Sequence, residues 1–241
     1  TVKVLPGNYT LRNSIYLRSG IRILGSGADS VLTKGPSHSV ALADDSDWYD
    51  QEVTVADAKG LRVGDGIVLR TRNPHNGGSD VLKRTLVARK GNRFKLDTAL
   101  RKNYWLSGKP TLSTLFPLIS GDHVHDISIG NITLDGNRKQ NAHLDGNYGG
   151  CIFLQDCNRI LMTGVEARNN NGDGISFQWN SEKVTVEDCT VEDNSGMGIH
   201  PGSDSHDSLV RRNTVRRNGN GGLFVCVKVK NCRFEDNHLL E

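Results

Sequence analysis

The residues best suited to acid–base chemistry lie at matching positions of a repeated pattern in the second half of the chain. Segments 171–177, 195–201 and 219–225 align at a spacing of 24 residues, and each combines glycines with a short apolar stretch. His200, in the second segment, titrates near neutrality, which suits it to proton transfer. Asp173, in the first segment, could orient or activate it. The spacing therefore predicts a His–carboxylate pair on neighbouring units.

The same register predicts the fold that would position this pair. Apolar residues alternate within each unit, as at Val184 and Val186, and Gly and Asn separate the alternating stretches. Period-two alternation over a few residues is typical of half-buried strands, and no long stretch has helical periodicity. Three short strands per 24-residue unit, stacked in register, predict an all-β, right-handed parallel β-helix. Two other repeat folds are disfavoured. A leucine-rich repeat requires a regular pattern of Leu residues that this chain lacks, and a propeller blade requires about 40 residues per repeat.

Stacking converts the repeat into columns of side chains about 4.8 Å apart. Two columns should point inward; they contain Ile152, Ile175, Ile199 and Leu223, and Leu154, Phe177, Pro201 and Val225. The residues between them should face solvent; they are Phe153, Ser176, His200 and Phe224, and then Gln155, Gln178, Gly202 and Cys226, with Trp179 at the far end. A loop at 137–146 should emerge beside the first of these strands, carrying Arg138, His143 and Asp145.

This outward face has the composition of a surface for an extended sugar chain. The amides of Gln155 and Gln178 can hydrogen-bond hydroxyl groups, Ser176 adds a hydroxyl, and Trp179 offers a flat ring for stacking. A structural alternative stays open, in which Asp173 only caps a turn and His200 is an exposed side chain bonded to its neighbours.

The first half begins with the same strand and turn pattern and then departs from it. Residues 45–118 contain alternating stretches of hairpin type, which predict a small antiparallel β subdomain inserted into a single β-helix domain of residues 1–241. Aromatic residues mark its edges; they are Trp48, Tyr49, Tyr104 and Trp105. They could form a rim or lid over a groove, or simply pack the insertion in place.

Composition excludes several classes of protein. The net charge of +3 is too mild to indicate nucleic acid, and no apolar run is long enough to span a membrane. Five cysteines in 241 residues do not make a disulfide scaffold. The chain starts without Met or a signal peptide and ends in Leu240-Glu241, so we expect a processed or trimmed product. A secreted, periplasmic or cell-surface location fits the fold, and oligomeric state stays open.

Charged residues of the last coils are also in register. Glu187 should lie over Arg211 and Glu192 over Arg216, which compensates charge across strands. The alternative use of these cations is to bind a carboxylate-bearing substrate. No residue pattern indicates a metal site; the acidic run 44–50 lacks the Gly and terminal Glu of an EF-hand loop.

Several of these motifs resemble the pectate-lyase-like right-handed β-helix superfamily. The opening Leu5-Pro-Gly-Asn-Tyr9, the segment 173–179 and Ile199-His-Pro-Gly-Ser203 are similar to parts of uncharacterised bacterial β-helix repeat proteins. The resemblance covers nearly the whole chain except the insertion, and it implies carbohydrate rather than one reaction. Asn171-Gly-Asp173 matches the Asn-x-Asp signature of polygalacturonases. Gly196-Met197 stands where that family carries two aspartates, which disfavours its hydrolytic mechanism.

The chemistry that then fits best is that of a lyase or epimerase acting on a uronic-acid polysaccharide. A base removes the proton at C5 while a cation or hydrogen-bond donors neutralise the adjacent carboxylate. His200 or His143 would be the base, assisted by Asp173. Arg138, Gln178 or a bound Ca²⁺ would neutralise the carboxylate; no other cofactor is indicated. A non-catalytic carbohydrate-binding or surface-structural β-helix, and a truncated or engineered fragment without activity, are the alternatives.

Overall fold

The strands are numerous, and most of them are short because Gly- and Asn-rich turns separate them. The computed structural model describes residues 1–143 and 149–241; Asp145 of the predicted loop lies outside them. The strands are β1 Val2–Lys3, β2 Gly7–Leu11, β3 Ile15–Tyr16, β4 Arg22–Lys34, β5 Ser39–Ala41, β6 Glu52–Thr54, β7 Gly66–Arg72, β8 Ser79–Lys90, β9 Arg93–Leu96, β10 Thr111–Thr114, β11 Ile119–Asp122, β12 His125–Asp135, β13 Ile152–Gln155, β14 Asn158–Arg168, β15 Ile175–Gln178, β16 Glu182–Glu187, β17 Thr190–Glu192, β18 Met197–Pro201, β19 Leu209–Arg211, β20 Thr214–Arg216, β21 Gly221–Leu223, β22 Arg233–Glu235 and β23 His238–Leu240. Two 3₁₀ turns span Leu106–Gly108 and Arg138–Gln140.

The chain forms two compact units, Thr1–Gly35 with Pro117–Glu241, and Pro36–Phe116. In the first unit all strand pairing is parallel, in one 11-stranded sheet and one six-stranded sheet of order β21-β18-β15-β13-β11-β3. Ile175 pairs with Ile199, and Ile199 pairs with Leu223, which is the predicted 24-residue register. Between β12 and β14 the register step is larger than 24 residues, with Ile132 paired to Val165. The predicted parallel β-helix is confirmed.

The core of this unit is a stack of aliphatic side chains. Ile152, Ile175 and Ile199 are wholly buried, and neighbouring coils continue the same cluster. The prediction for Val225 is wrong, since 45% of it is exposed. It follows β21, the edge strand of its sheet, so no neighbouring strand covers it.

Asparagine ladders close the turns between strands. The side-chain oxygen of Asn194 accepts the backbone N–H of Asn170 at 3.2 Å, and that of Asn218 accepts the N–H of Asn194 at the same distance. Asn170 and Asn194 are fully buried, so each amide satisfies backbone groups that water cannot reach. The repeated Asn of the sequence is therefore structural.

The second unit is a six-stranded sheet of order β5-β10-β7-β8-β9-β6, whose strand pairs are all antiparallel. Its own apolar cluster includes Ile67, Leu69 and Leu86, none of which is exposed. The predicted antiparallel subdomain is thus present. No helix among the described residues is long and apolar enough to cross a membrane.

Candidate functional site

Asp173 and His200 meet on neighbouring coils of the β-helix. Asp173 lies in the turn before β15, and His200 lies within β18. Its ring Nδ1 is 2.7 Å from Oδ2 of Asp173, and the backbone N–H of Met197 donates to the other carboxylate oxygen at 2.8 Å. Asp173 is 1% exposed and His200 8% exposed. The carboxylate is therefore held from two sides and fixes the orientation of the imidazole.

The protonation of His200 follows from this contact. Burial lowers the pKa of the imidazole, but the hydrogen bond and charge of Asp173, with a smaller contribution from Cys226, outweigh it and raise the pKa above its ordinary value. Because a carboxylate accepts a hydrogen bond, Nδ1 carries the proton in the neutral ring and Nε2 has the free lone pair. This Nε2 is buried and has no hydrogen-bond partner among the described residues.

Gln178 lies on the same face, beside His200. Its side-chain N–H donates to the hydroxyl of Ser176 at 2.7 Å and more weakly to the carbonyl oxygen of His200 at 3.5 Å. Gly202 makes room for the amide, because a Cβ atom there would fall 1.4 Å from Oε1 of Gln178. The sequence predicts that Gln178 and Gly202 share one column. In the structure the Gln178 amide lies over Gly202, which leaves no room for a side chain at position 202.

The prediction that this face is open to solvent is wrong. Ser176 is fully buried, and Gln178 and Phe153 are each 8% exposed. The ring of Phe224 meets the imidazole of His200 edge-on, with centroids 4.9 Å apart. Phe224 therefore covers His200 in part, and His200 is not the exposed histidine of the structural alternative.

Cys226 and Ser203 were not singled out as site residues by the sequence. The Ser203 hydroxyl and the Cys226 thiol are 3.3 Å apart. The contact with Ser203 lowers the pKa of the thiol, burial opposes it, and His200 lowers it further. The available signal was the 24-residue step from Gly202 to Cys226, which places the thiol on the coil next to His200.

Two further predicted residues lie at the ends of the strands of this face. Gln155 lies on the coil before Gln178, pairs with it in register and is half-buried. Trp179 follows β15, is 59% exposed and has a left-handed backbone with φ of 45°. The structure thus gives one free amide and one exposed ring at the margin of the buried Ser176–Gln178 pair.

Arg138 and His143 lie on the segment that follows β12. The side chain of Asn171 donates to the carbonyl oxygens of Arg138 at 2.8 Å and of Asn141 at 2.6 Å. Nδ1 of His143 is 3.4 Å from the Ser195 hydroxyl, which accepts the backbone N–H of Gly172 at 2.8 Å. The segment is therefore fastened to the turns that precede β15 and β18, next to Asp173 in the chain.

Among the described residues, potential metal ligands do not cluster around His200. Asp173 is committed to His200 and Met197, and the described residues bring together three potential ligands only at Glu182, His206 and Asp207. The nearest contact in that trio is His206 to Asp207, at 2.8 Å between Nδ1 and Oδ2. The residues around His200 do not fit a Ca²⁺ site, so no role for Ca²⁺ is derived there.

Charged residues on the last coils pair as predicted. Arg211 lies 2.7 Å from Glu187, and Arg216 lies 2.5 Å from Glu192. These pairs link successive coils and account for the basic residues of this region without a ligand.

Comparison with known proteins identifies the fold family. The family described as right handed beta helix region matches residues 119–239. The chain belongs to this family. The right-handed β-helix predicted from the 24-residue register is thereby confirmed. The comparison with the curated proteins found no match.

Solved structures with the same fold differ widely in sequence. The A-module of the mannuronan C-5 epimerase AlgE6 from Azotobacter vinelandii is 13% identical, with 98% of this chain and 48% of that chain covered and a TM-score of 0.56. A putative glycosyl hydrolase from Parabacteroides merdae is 14% identical, with 98% and 81% covered and a TM-score of 0.52. The tailspike protein gp49 from Pseudomonas phage LKA1 is 16% identical, with 99% and 47% covered and a TM-score of 0.46. The chain spans about half the length of the epimerase module and of this tailspike. At these identities the likeness is one of fold.

Proposed function

We propose that this β-helix acts on an acidic polysaccharide as a lyase or epimerase, with His200 as the general base. The observation that carries the proposal is the Asp173–His200 pair, 2.7 Å apart and buried, with Nε2 of the imidazole left without a partner. A buried polar atom without a hydrogen bond is uncommon, and a substrate proton is a natural partner for it.

The chemical step follows from the tautomer that Asp173 selects. Nε2 of neutral His200 accepts the C5 proton of a uronic-acid unit, while Nδ1–H stays on Asp173, whose charge stabilises the imidazolium that forms. In a lyase the electron pair left at C5 forms the C4–C5 double bond and expels the glycosidic oxygen. That oxygen takes a proton from the His200 imidazolium or from water. In an epimerase water donates a proton to C5 from the opposite face of the ring, and the imidazolium releases the abstracted proton to water.

The surrounding residues supply binding groups for a sugar. Among the described residues the amide of Gln155 has no side-chain hydrogen bond and can bond hydroxyl groups, the second N–H of Gln178 is held only by its weak 3.5 Å bond to the carbonyl oxygen of His200, and Trp179 presents a ring. Arg138 carries the cation that would face the uronate carboxylate. Two solved structures with TM-scores above 0.5, a mannuronan C-5 epimerase module and a putative glycosyl hydrolase, support a polysaccharide as substrate.

A two-carboxylate hydrolase fits the site less well. A Cβ atom at Gly196 would lie 2.4 Å from Oδ1 of Asp173, and the next residue, Met197, uses its backbone N–H to hold that oxygen. An aspartate at either position would disturb the carboxylate that orients His200. The acid and base of an inverting hydrolase, about 6.5–9.5 Å apart, therefore have no counterpart among these residues.

The test is activity on defined polymers. The protein is incubated with polygalacturonate, polymannuronate, polyguluronate and polyglucuronate, and unsaturated products are followed by absorbance and epimer ratios by NMR. We expect turnover of one polymer, reduced about 100-fold or more in His200→Asn. His125→Asn is the matched control, because His125 also bonds an aspartate, Asp126, at 2.7 Å but is exposed. No turnover of any polymer, or equal activity of His200→Asn and the wild type, contradicts the proposal.

A non-catalytic β-helix that only binds glycans is the second candidate. The observation that favours it is the ring of Phe224, which packs against the imidazole of His200 and restricts access to Nε2. In that case His200→Asn lowers the free energy of unfolding but leaves glycan affinity unchanged, and no polymer is converted. Measuring affinity and stability of the same variant separates the two functions.

A further inference from the structure

The second compact unit contains a cavity that is lined by cations. Its volume is about 250 Å³, and its walls include Arg70, Arg72 and Lys109 together with Gly77 and Gly78. No carboxylate is among the residues that line it. The cavity is smaller than the roughly 300–1,000 Å³ of pockets for drug-sized ligands, which restricts its occupant to about one sugar unit or a smaller anion.

The three cations of this cavity have no partners within the described chain. Nη2 of Arg70 is buried without a hydrogen bond. The side chains of Arg72 and Lys109 are exposed, and among the described residues neither forms a hydrogen bond or an ion pair. Burial of a guanidinium nitrogen without an acceptor is unfavourable, so the site is incomplete as it stands.

Some other cations of the same unit have partners. Lys102 lies 2.6 Å from Asp80, and Arg93 lies 2.6 Å from Glu52. Arg84 donates to backbone carbonyl oxygens at the end of the 97–100 segment, including that of Leu100 at 3.1 Å. Unlike these cations, Arg70 has a buried guanidinium nitrogen without an acceptor, and no carboxylate lines the cavity beside it.

The local fold explains why these cations converge. Arg70 and Arg72 are two residues apart on β7, so their side chains leave the same face of the strand. The 73–78 loop returns beside them and is closed by the bond from the Asn73 N–H to the Gly78 carbonyl oxygen, at 2.7 Å. Gly77 has a φ of 72°, a left-handed conformation that favours glycine, and it brings the loop next to the guanidinium of Arg72.

We infer that this cavity is an oxyanion-binding site, built for a single carboxylate or sulfate group such as an acidic sugar carries. A guanidinium whose Nη2 lacks an acceptor, two further cations and the absence of lining carboxylates give it the charge and the donors that such a group requires. The site belongs to the second unit alone and is independent of His200.

Titration of the full chain with sodium galacturonate, sodium sulfate and neutral galactose tests the site. Binding is followed by calorimetry and by the amide resonances of Gly77 and Gly78. We expect one or both anions to bind and galactose not to bind, and we expect Arg70→Gln to weaken the anion about tenfold or more. Binding of galacturonate but not sulfate identifies a carboxylate site, and competition by sulfate identifies a general oxyanion site.

Two sets of variants keep the test decisive. Arg72→Gln and Lys109→Gln change exposed residues, so they report on the site even if Arg70→Gln fails to fold. Lys90→Gln is the matched control, since it removes one exposed cation from a different cavity of the same unit. The inference is overturned if neither anion binds, or if Lys90→Gln weakens binding as much as the cavity variants. His200→Asn should leave this binding unchanged, which separates the outcome from that of the proposed catalysis.

Discussion

Replacing Gly202 with alanine should expel Gln178 from the candidate site without disturbing the backbone. The added Cβ would lie 1.4 Å from Oε1 and 1.9 Å from Cδ of the Gln178 amide, so the amide cannot keep its position. The φ of Gly202 is outside the left-handed region, so alanine itself fits the strand end. The perturbation is therefore confined to the end of one flexible side chain.

The expected magnitude follows from the contacts that Gln178 loses. Its bond to the Ser176 hydroxyl is 2.7 Å long, and the one to the His200 carbonyl oxygen is long and weak at 3.5 Å. A net hydrogen bond contributes about 0.5–1.5 kcal/mol, so we expect Gly202→Ala to lower the free energy of unfolding by about 1–2 kcal/mol. Gln178→Ala removes the same bonds and should have a similar effect.

The double variant provides the decisive comparison. In Gly202→Ala/Gln178→Ala the clash is absent, so the combined loss, measured by urea denaturation, should be smaller than the sum of the single losses by about 1 kcal/mol. Gly130→Ala is the control, because its nearest neighbour would be 3.4 Å away, an ordinary contact, and it should change stability by less than about 1 kcal/mol. Additive losses would refute the inference that Gln178 lies over Gly202.

Two further predictions concern the ionisation of this site. The pKa of His200, measured by NMR, should lie above the ordinary value of about 6.5 and should fall in Asp173→Asn, where burial is no longer opposed by a charge; an unchanged pKa would contradict the pairing. Because the raised pKa favours the folded state with His200 protonated, this contribution to stability is present below the unfolded pKa and is lost as the pH rises through the folded one. Cys226 should be alkylated by iodoacetamide at lower pH than Cys232, since contacts with Ser203 and then His200 lower its pKa while burial raises that of Cys232; equal pH dependence in peptide mapping would count against it.

The sequence was sufficient to predict the β-helix because its register is local and repeated. Ile175, Ile199 and Leu223 are separated by 24 residues in the chain and by one strand spacing in the fold. The same register predicted that Glu187 would pair with Arg211. A column of a solenoid is a linear property of the sequence, so the partners can be counted without coordinates.

The exposure of the candidate site could not be predicted in this way. Alternation assigns Ser176 and His200 to the outward face, but it does not show whether another group covers that face. Phe224 lies in the same column as His200, and its ring turns toward the imidazole, which is a choice of side-chain rotamer that register does not determine. The unpaired guanidinium of Arg70 was likewise invisible, because it results from the absence of an acceptor in the folded unit.

Burial separates His200 from the other His–Asp pairs of the chain. His125–Asp126 and His206–Asp207 join adjacent residues at 2.7 and 2.8 Å, and in both the aspartate is exposed to water. His123 contacts Asp122 at 2.7 Å and Asp156, on the next coil, at 2.9 Å, and its side chain is 69% exposed. Such pairs form with little desolvation and contribute little. Asp173 and His200 lie on different coils, and both side chains are buried. Removing these charged groups from water is unfavourable unless strong contacts between them offset the loss of hydration. Nε2 of His200 has no hydrogen-bond partner among the described residues, so this desolvated pair leaves one ring nitrogen available for the proton transfer that we propose.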